Sequence, residues 1–179
     1  MRVGRGGRMS ALHELKDQAR AYRGNEDRPL GGYLAVMVVY GCLVGLGTLA
    51  VALTGRKLPQ RVPKEDLVVL ALGTHKLSRT LTKDAVTSPL RAPFTRYSGT
   101  GGPAEVMEDV RKPSGLRHSL GELLSCPFCL DMWVVTAFAF GLLFAPRATR
   151  LVAGAFATLA GADFLQLAYA KAQQITEKG

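Results

Sequence analysis

The sequence predicts an all-α fold, an integral membrane bundle of about four membrane-associated helices, three of them firm spans and one short. Three observations predict it. The apolar residues are gathered into blocks almost free of charge, and the first, Leu30 to Leu53, holds no Asp, Glu, Lys or Arg over 24 positions. At 1.5 Å per residue, such a helix exceeds the roughly 30 Å hydrocarbon layer and can cross it with some tilt. The chain carries a net charge of +9, with Lys and Arg placed between the blocks, the pattern of loops on the cytoplasmic face. Its 179 residues need no second domain.

Residues 1–29 form a basic tail with Arg2, Arg5, Arg8, Lys16, Arg20, Arg23 and Arg28. Leu12, Leu15, Ala19 and Tyr22 recur at helical spacing beside Lys16, Arg20 and Arg23. That spacing allows a short amphipathic helix on an anionic membrane surface, and equally a solvated tail. A membrane helical domain follows over 30–170. Within its first span, Gly41 and Gly45 make a G-x-x-x-G step that would admit a close neighbour. Cys42 reads as a small buried hydrophobe. The first apolar block is too long for the core of a cleavable signal peptide and reads as an uncleaved anchor.

Pro59 and Pro63 break the chain, and Lys64-Glu65-Asp66 open a second helix. It is apolar on all sides from Leu67 to Leu72. Beyond that, Leu77 and Leu81 continue an apolar stripe beside a basic one of Lys76, Arg79 and Lys83. The apolar part is short, so the helix either crosses with Lys76 and Arg79 snorkelling or only dips in; crossing is favoured. Residues 82–122 read as a cytoplasmic loop broken by Pro89, Pro93, Pro103 and Pro113, and disordered near 98–113. Ser119 and Glu122 stand at capping-box spacing and would start the next helix.

Leu123 to Phe144 is apolar apart from Ser125, Pro127 and Asp131, with Pro127 in the first turn of the membrane helix and Cys126 or Ser125 at its cap. Pro146 ends it, Arg147 to Arg150 form a turn, and a last block runs from Leu151 to Ala170 with Ala153, Ala157 and Gly161 as a small-residue stripe. A polar tail occupies 171–179. Lys and Arg number seven in the N-terminal tail and eight from Lys76 to Arg117, against four in 54–66 and two in 145–150. Four crossings of the cell membrane with both termini cytoplasmic place the two richest segments in the cytoplasm.

Cys126-Pro127-Phe128-Cys129 is the most suggestive motif. A dithiol at a helix N-terminus can supply an attacking thiolate, but soluble redox domains of that kind need a βαβ context that cannot be drawn here. Zinc takes four ligands and this pair supplies two, with His118 and His75 at irregular distance. A structural role, redox and metal therefore all remain readings of the pair; no metal site and no cofactor is assigned. Asp131 and Asp163 are ionisable groups in membrane segments, and such groups expect partners. Four crossings would bring them to similar depth, near His75, Lys76 and Arg79, as one polar cluster beside the cysteines; hydrated interfacial acids are the plainer alternative. Asp84, Arg91 and Phe94 could fold back on the membrane face or bind a partner. No nucleotide-binding motif occurs, and no nucleic-acid partner is assigned.

Two segments carry a family resemblance: L-A-L-G-T-H-K-L-S-R-T-L-T-K-D-A-V-T-S-P-L-R-A-P-F, residues 70–94, and L-G-E-L-L-S-C-P-F-C-L-D-M-W, residues 120–133. Together they resemble a bacterial family known as domain of unknown function 1360, over roughly residues 64–165. The resemblance implies a multi-pass bacterial membrane protein, sporulation-linked in some members, with no established activity. Carried over by motif, it points to Lys76, Arg79, Asp84, Pro89, Arg91, Pro93 and Phe94, and to Gly121, Glu122, Cys126, Pro127, Cys129 and Trp133. Asp131 stands where members often have glycine, so no family-wide role attaches to it. His75 and His118 lie outside the pattern.

The expectation is a structural or partner-binding membrane component, in contact with the lipid bilayer and with a second copy or another membrane protein. Candidate binding residues are Lys76, Arg79, Asp84, Arg91, Phe94 and Glu122. The alternative is a membrane dithiol oxidoreductase using Cys126 and Cys129, with Asp131 and Asp163 as further candidates for chemistry.

Overall fold

The structure, a computed structural model, describes residues 5–24, 28–111 and 115–177. Arg2 and Pro113, and the side chains of Arg5, Arg8, Leu12, Leu15 and Arg23, lie outside what is described. Among the described residues there are seven α-helices and one hairpin: α1 (Arg5–Arg23), α2 (Leu30–Leu53), α3 (Lys64–Lys83), α4 (Ser88–Arg91), β1 (Thr95–Thr100), β2 (Val106–Val110), α5 (Leu116–Ser125), α6 (Pro127–Phe144) and α7 (Pro146–Glu177).

Three of these helices, α2, α6 and α7, are long and apolar enough to cross a membrane. They keep little of that surface to themselves: Leu34, Met37, Val38, Leu46, Leu151, Leu165 and many like them are more than half exposed. A surface of this kind is unstable in water and stable in lipid. α3 fails the same test because charged side chains occupy both its ends, yet it is the central element. Its face of Leu70, Gly73, Thr74, Ser78 and Thr82 is buried against α6 and α7. A Cβ at Gly73 would lie 2.7 Å from the Ala153 carbonyl oxygen, so glycine is what lets the α3 and α7 backbones approach. The core gathers Leu70, Leu130, Val134, Phe138 and Ala153 around this crossing.

Paired contacts fix the directions. Asp66 meets Arg150, Gly73 meets Ala153 and Lys76 meets Asp163, so α3 runs parallel to α7. Tyr40 meets Trp133 and Thr136, and Arg56 donates to the Leu143 carbonyl at 2.6 Å, so α2 runs parallel to α6. Since α6 turns directly into α7, α3 is antiparallel to α6. The two ends of α3 therefore lie at opposite ends of the bundle. One end carries the α2–α3 and α6–α7 connections. The other carries the N-termini of α2 and α6, with the described residues from Asp84 to Ser125 folded as a cap over them.

That cap corrects the all-α prediction, and it corrects the reading of 82–122 as a loop disordered near 98–113. A 3-10 turn (Ala85–Thr87) and α4 lead into an antiparallel hairpin pairing Thr95 with Val110 and Thr100 with Val106, with a bulge between Tyr97 and Gly99. Proline and glycine had signalled disorder there. Instead they make the turns of a unit held by long-range polar contacts. α5 also begins earlier than the Ser119–Glu122 spacing predicts. Gly115, at φ 89°, precedes a helix starting at Leu116, and Ser119 is buried, where a Cβ at Gly32 of α2 would strike its Oγ. α7 likewise starts at Pro146 rather than Leu151, and continues through Glu177, into the polar segment that begins at 171. The N-terminal segment is helical over Arg5–Arg23.

The glycines follow the packing rather than the motif. Gly41 and Gly45 face open space, with nothing within 4 Å of a Cβ placed on either, and Cys42 is exposed instead of buried. The α2 glycines in use are Gly32, against Gly115 and Ser119, and Gly47, under the Phe140 ring. In the α7 stripe Ala153 is fully buried, Ala157 half-buried and Gly161 open.

Candidate functional site

The cap is organised around Arg91. Its side chain is fully buried, and a short helix placed by Pro89 at its start aims it back under the chain that precedes it. Nε and Nη2 donate to the two Glu108 carboxylate oxygens at 2.8 and 3.1 Å. Nη1 donates to the Leu81 carbonyl at 2.8 Å and to Thr87 Oγ1 at 2.7 Å, and Nη2 also reaches the Asp84 carbonyl at 3.0 Å. Thr95 Oγ1 reaches the same carboxylate at 3.0 Å. A guanidinium has five N–H donors in a planar fork, and here the segment 81–95 wraps the fork until it is satisfied. Burial pushes the Glu108 carboxyl up, but the hydrogen bonds from Arg91 and Thr95 outweigh it and hold the group below its ordinary value. Arg91 thus stands inside the fold, with no face toward a partner. Arg111 and Arg117 act similarly, donating to the carbonyls of Thr95 (2.7 Å) and Pro93 (2.6 Å). Much of the basic charge in this stretch is consumed in holding the cap together.

A cleft of about 620 Å³ lies where the cap meets the bundle, between the end of α3, the hairpin tip and α7. α3 contributes His75, Lys76 and Arg79; the tip contributes Gly102 to Glu105; α7 contributes Asp163, Phe164 and Leu167; Asp84 completes the wall. Lys76 Nζ bonds Asp163 at 2.8 Å, and Arg79 places Nε and Nη2 on Glu105 Oε1 at 3.0 and 2.5 Å. His75 stacks on Phe164, centroids 6.1 Å apart. The tip is pinned by Ala85 N–H donating to the Ala104 carbonyl at 3.1 Å, with Ala104 itself at φ 62°. A left-handed alanine stores about 1–2 kcal/mol of strain. The Asp84 carboxylate has no hydrogen-bond partner among the described residues.

Four candidates predicted from sequence (Lys76, Arg79, Asp84 and Asp163) therefore converge on one cleft. The others do not. Asp131 lies on a different side of α3, where it pairs with Ser78 Oγ across the α3–α6 contact. The expected single cluster is in fact two sites, because Ser78, one residue from Arg79 and two from Lys76, faces a different neighbour on the helix. Cys126 and Cys129 line neither. Cys126 is the N-cap of α6, its Sγ accepting the Cys129 N–H at 3.3 Å, behind Pro127 at the first helical position. Both thiols are free, Cys126 half-buried and Cys129 exposed. Among the described residues no three His, Cys, Asp or Glu side chains are grouped to hold a metal ion. Glu122 pairs with Arg28 at 3.4 Å and His118 at 3.5 Å, tying α5 to the start of α2. Phe94 packs toward Gly121 and accepts the Arg111 N–H at its carbonyl. Glu105 and Glu108 were missed because they sit in the stretch read as disordered. Their one signal is the alternation Val106-Glu108-Val110, which places those three on the inner side of β2.

Comparison with known proteins agrees with the motifs. A 35% identical match extends over 69 residues to "Sporulation protein YjcA" of Bacillus subtilis (strain 168), covering 37% of this chain and 58% of that protein. The chain thus spans less than two thirds of that relative's length. No solved structure matches. The profile of a family described as "Protein of unknown function (DUF1360)" matches residues 69–169, from within α3 to the cap end of α7. The chain belongs to the DUF1360 family.

Proposed function

We propose that this chain is a four-pass membrane component, with both termini and the cap in the cytoplasm, that works as a structural or partner-binding element rather than as a catalyst. The observation that carries it is the placement of α3. It joins the far end of α2 to a cap that sits over the near end, so if α2 crosses a bilayer, α3 must return through it. Its charged ends, Lys64 to Asp66 and Arg79 to Lys83, then lie at the two interfaces, and its small polar face is shielded by α6 and α7. The lipid-facing positions fall to α2, α6 and α7, whose exposed apolar surface supports that assignment. The similarity to a sporulation protein supports a role in that process, through the matched part of the chain.

The experiment is a topology map. Reporter fusions or single-cysteine labels at Thr54–Pro63, Gly101 and the two termini are expected to place the first outside and the other three inside. A hairpin tip accessible from outside would refute the four-pass arrangement. The assembly claim is tested separately by crosslinking in cells; a chain that purifies as a strict monomer and crosslinks to nothing would remove it.

A further inference from the structure

Resting on the membrane reading above, we propose that the cleft between α3, α7 and the hairpin tip is a head-group site for a zwitterionic lipid, one whose primary ammonium is joined to its phosphate. α7 is apolar and exposed at Phe164, Leu165 and Leu167 and meets its next charge only at Lys171. The cleft therefore opens at the depth where acyl chains give way to head groups, beside the cap. Its 620 Å³ is of ordinary size for a small-molecule site.

The charges select the ligand. Lys76 and Arg79 face Asp84, Glu105 and Asp163, so the lining is net negative in a chain of net charge +9. Lys76 Nζ has three donors and spends one on Asp163; Arg79 spends Nε and Nη2 on Glu105, and its Nη1 is unbonded among the described residues. These spare donors can take a phosphate without breaking either ion pair. The Asp84 carboxylate is the complementary group: half-buried, lining the cleft and unpartnered among the described residues. A primary ammonium can donate to it. A quaternary ammonium cannot, and an anionic head group would add to an existing excess of negative charge. Leu167 and the exposed face of α7 then receive the acyl chain.

The test uses the full chain reconstituted in vesicles of equimolar phosphatidylethanolamine, phosphatidylcholine and phosphatidylglycerol, with lipid retained after mild detergent extraction identified by native mass spectrometry. The ethanolamine lipid is expected to be retained over each of the others by about fivefold or more, the scale of one charge-assisted hydrogen bond at a partly wet site. Asp84→Asn should remove the preference while cap amide exchange stays as in the parent, and Leu167→Trp, which fills the cleft without changing charge, should reduce retention. Equal retention of the three lipids would overturn the proposal, as would a preference that survives Asp84→Asn. Free phosphoethanolamine binding as tightly as the lipid would overturn the lipid assignment. These outcomes are separable from failure of the membrane reading, which would appear as release of the chain from vesicles by an alkaline wash.

Discussion

Removing the Arg91 guanidinium is the sharpest perturbation the fold offers. Arg91→Met keeps an unbranched side chain in a fully buried place but leaves the Glu108 carboxylate, itself 7% exposed, without its cation, and strips donors from Leu81, Asp84 and Thr87. Breaking one partner out of a buried pair costs about 3–5 kcal/mol, because the remaining charge keeps its desolvation penalty. Replacing both, as in Arg91→Met with Glu108→Leu, removes the stranded charge and should recover at least about 2 kcal/mol of that loss. The hydrogen-bond partners of Arg91 all lie between Leu81 and Glu108, so the loss should register locally. Amide hydrogen exchange over 84–110, in detergent micelles, should speed up in Arg91→Met while α6 stays protected. A single substitution costing less than about 1 kcal/mol of protection would refute the reasoning. So would a double variant no more protected than the single.

The same pair makes the cap acid-sensitive. Glu108 titrates lower folded than unfolded, so its contribution is complete above its ordinary value of 4.5 and is lost as pH falls through the depressed folded value. Exchange of the hairpin amides, followed downward from pH 6, should accelerate below that point, and Glu108→Gln should flatten the profile. Gly73→Val, which forces a branched side chain against the Ala153 carbonyl, should lower the thermal midpoint in detergent by an amount corresponding to about 1–3 kcal/mol, whereas Gly41→Ala should leave it unchanged. Cys126→Ser should preserve the α6 cap and Cys126→Ala lose up to about 1 kcal/mol of stability. If the double Cys126→Ser, Cys129→Ser variant keeps its cellular level but loses function, the dithiol reading of the pair gains over the structural one.

By itself the sequence determined the elements whose signal is local. A 24-residue uncharged run is long and apolar enough for a helix that crosses a membrane; Pro127 after Cys126 marks a helix start, and Pro146 a helix break. The basic stripe of α3 and the odd acid Asp163 were legible for the same reason: they violate a local pattern, and they do meet at 2.8 Å. What only the tertiary structure decided is whatever depends on partners far along the chain. The hairpin has no apolar alternation to announce it, because its inward positions include Thr95 and Glu108, and these are favourable only once Arg91 is folded beneath them. Asp131 and Asp163 were placed in one cluster because depth is readable from residue number, while the side of α3 each one faces depends on how three helices cross. Composition fixed the long apolar helices; long-range hydrogen bonding, which composition does not encode, fixed the cap and the cleft beside it.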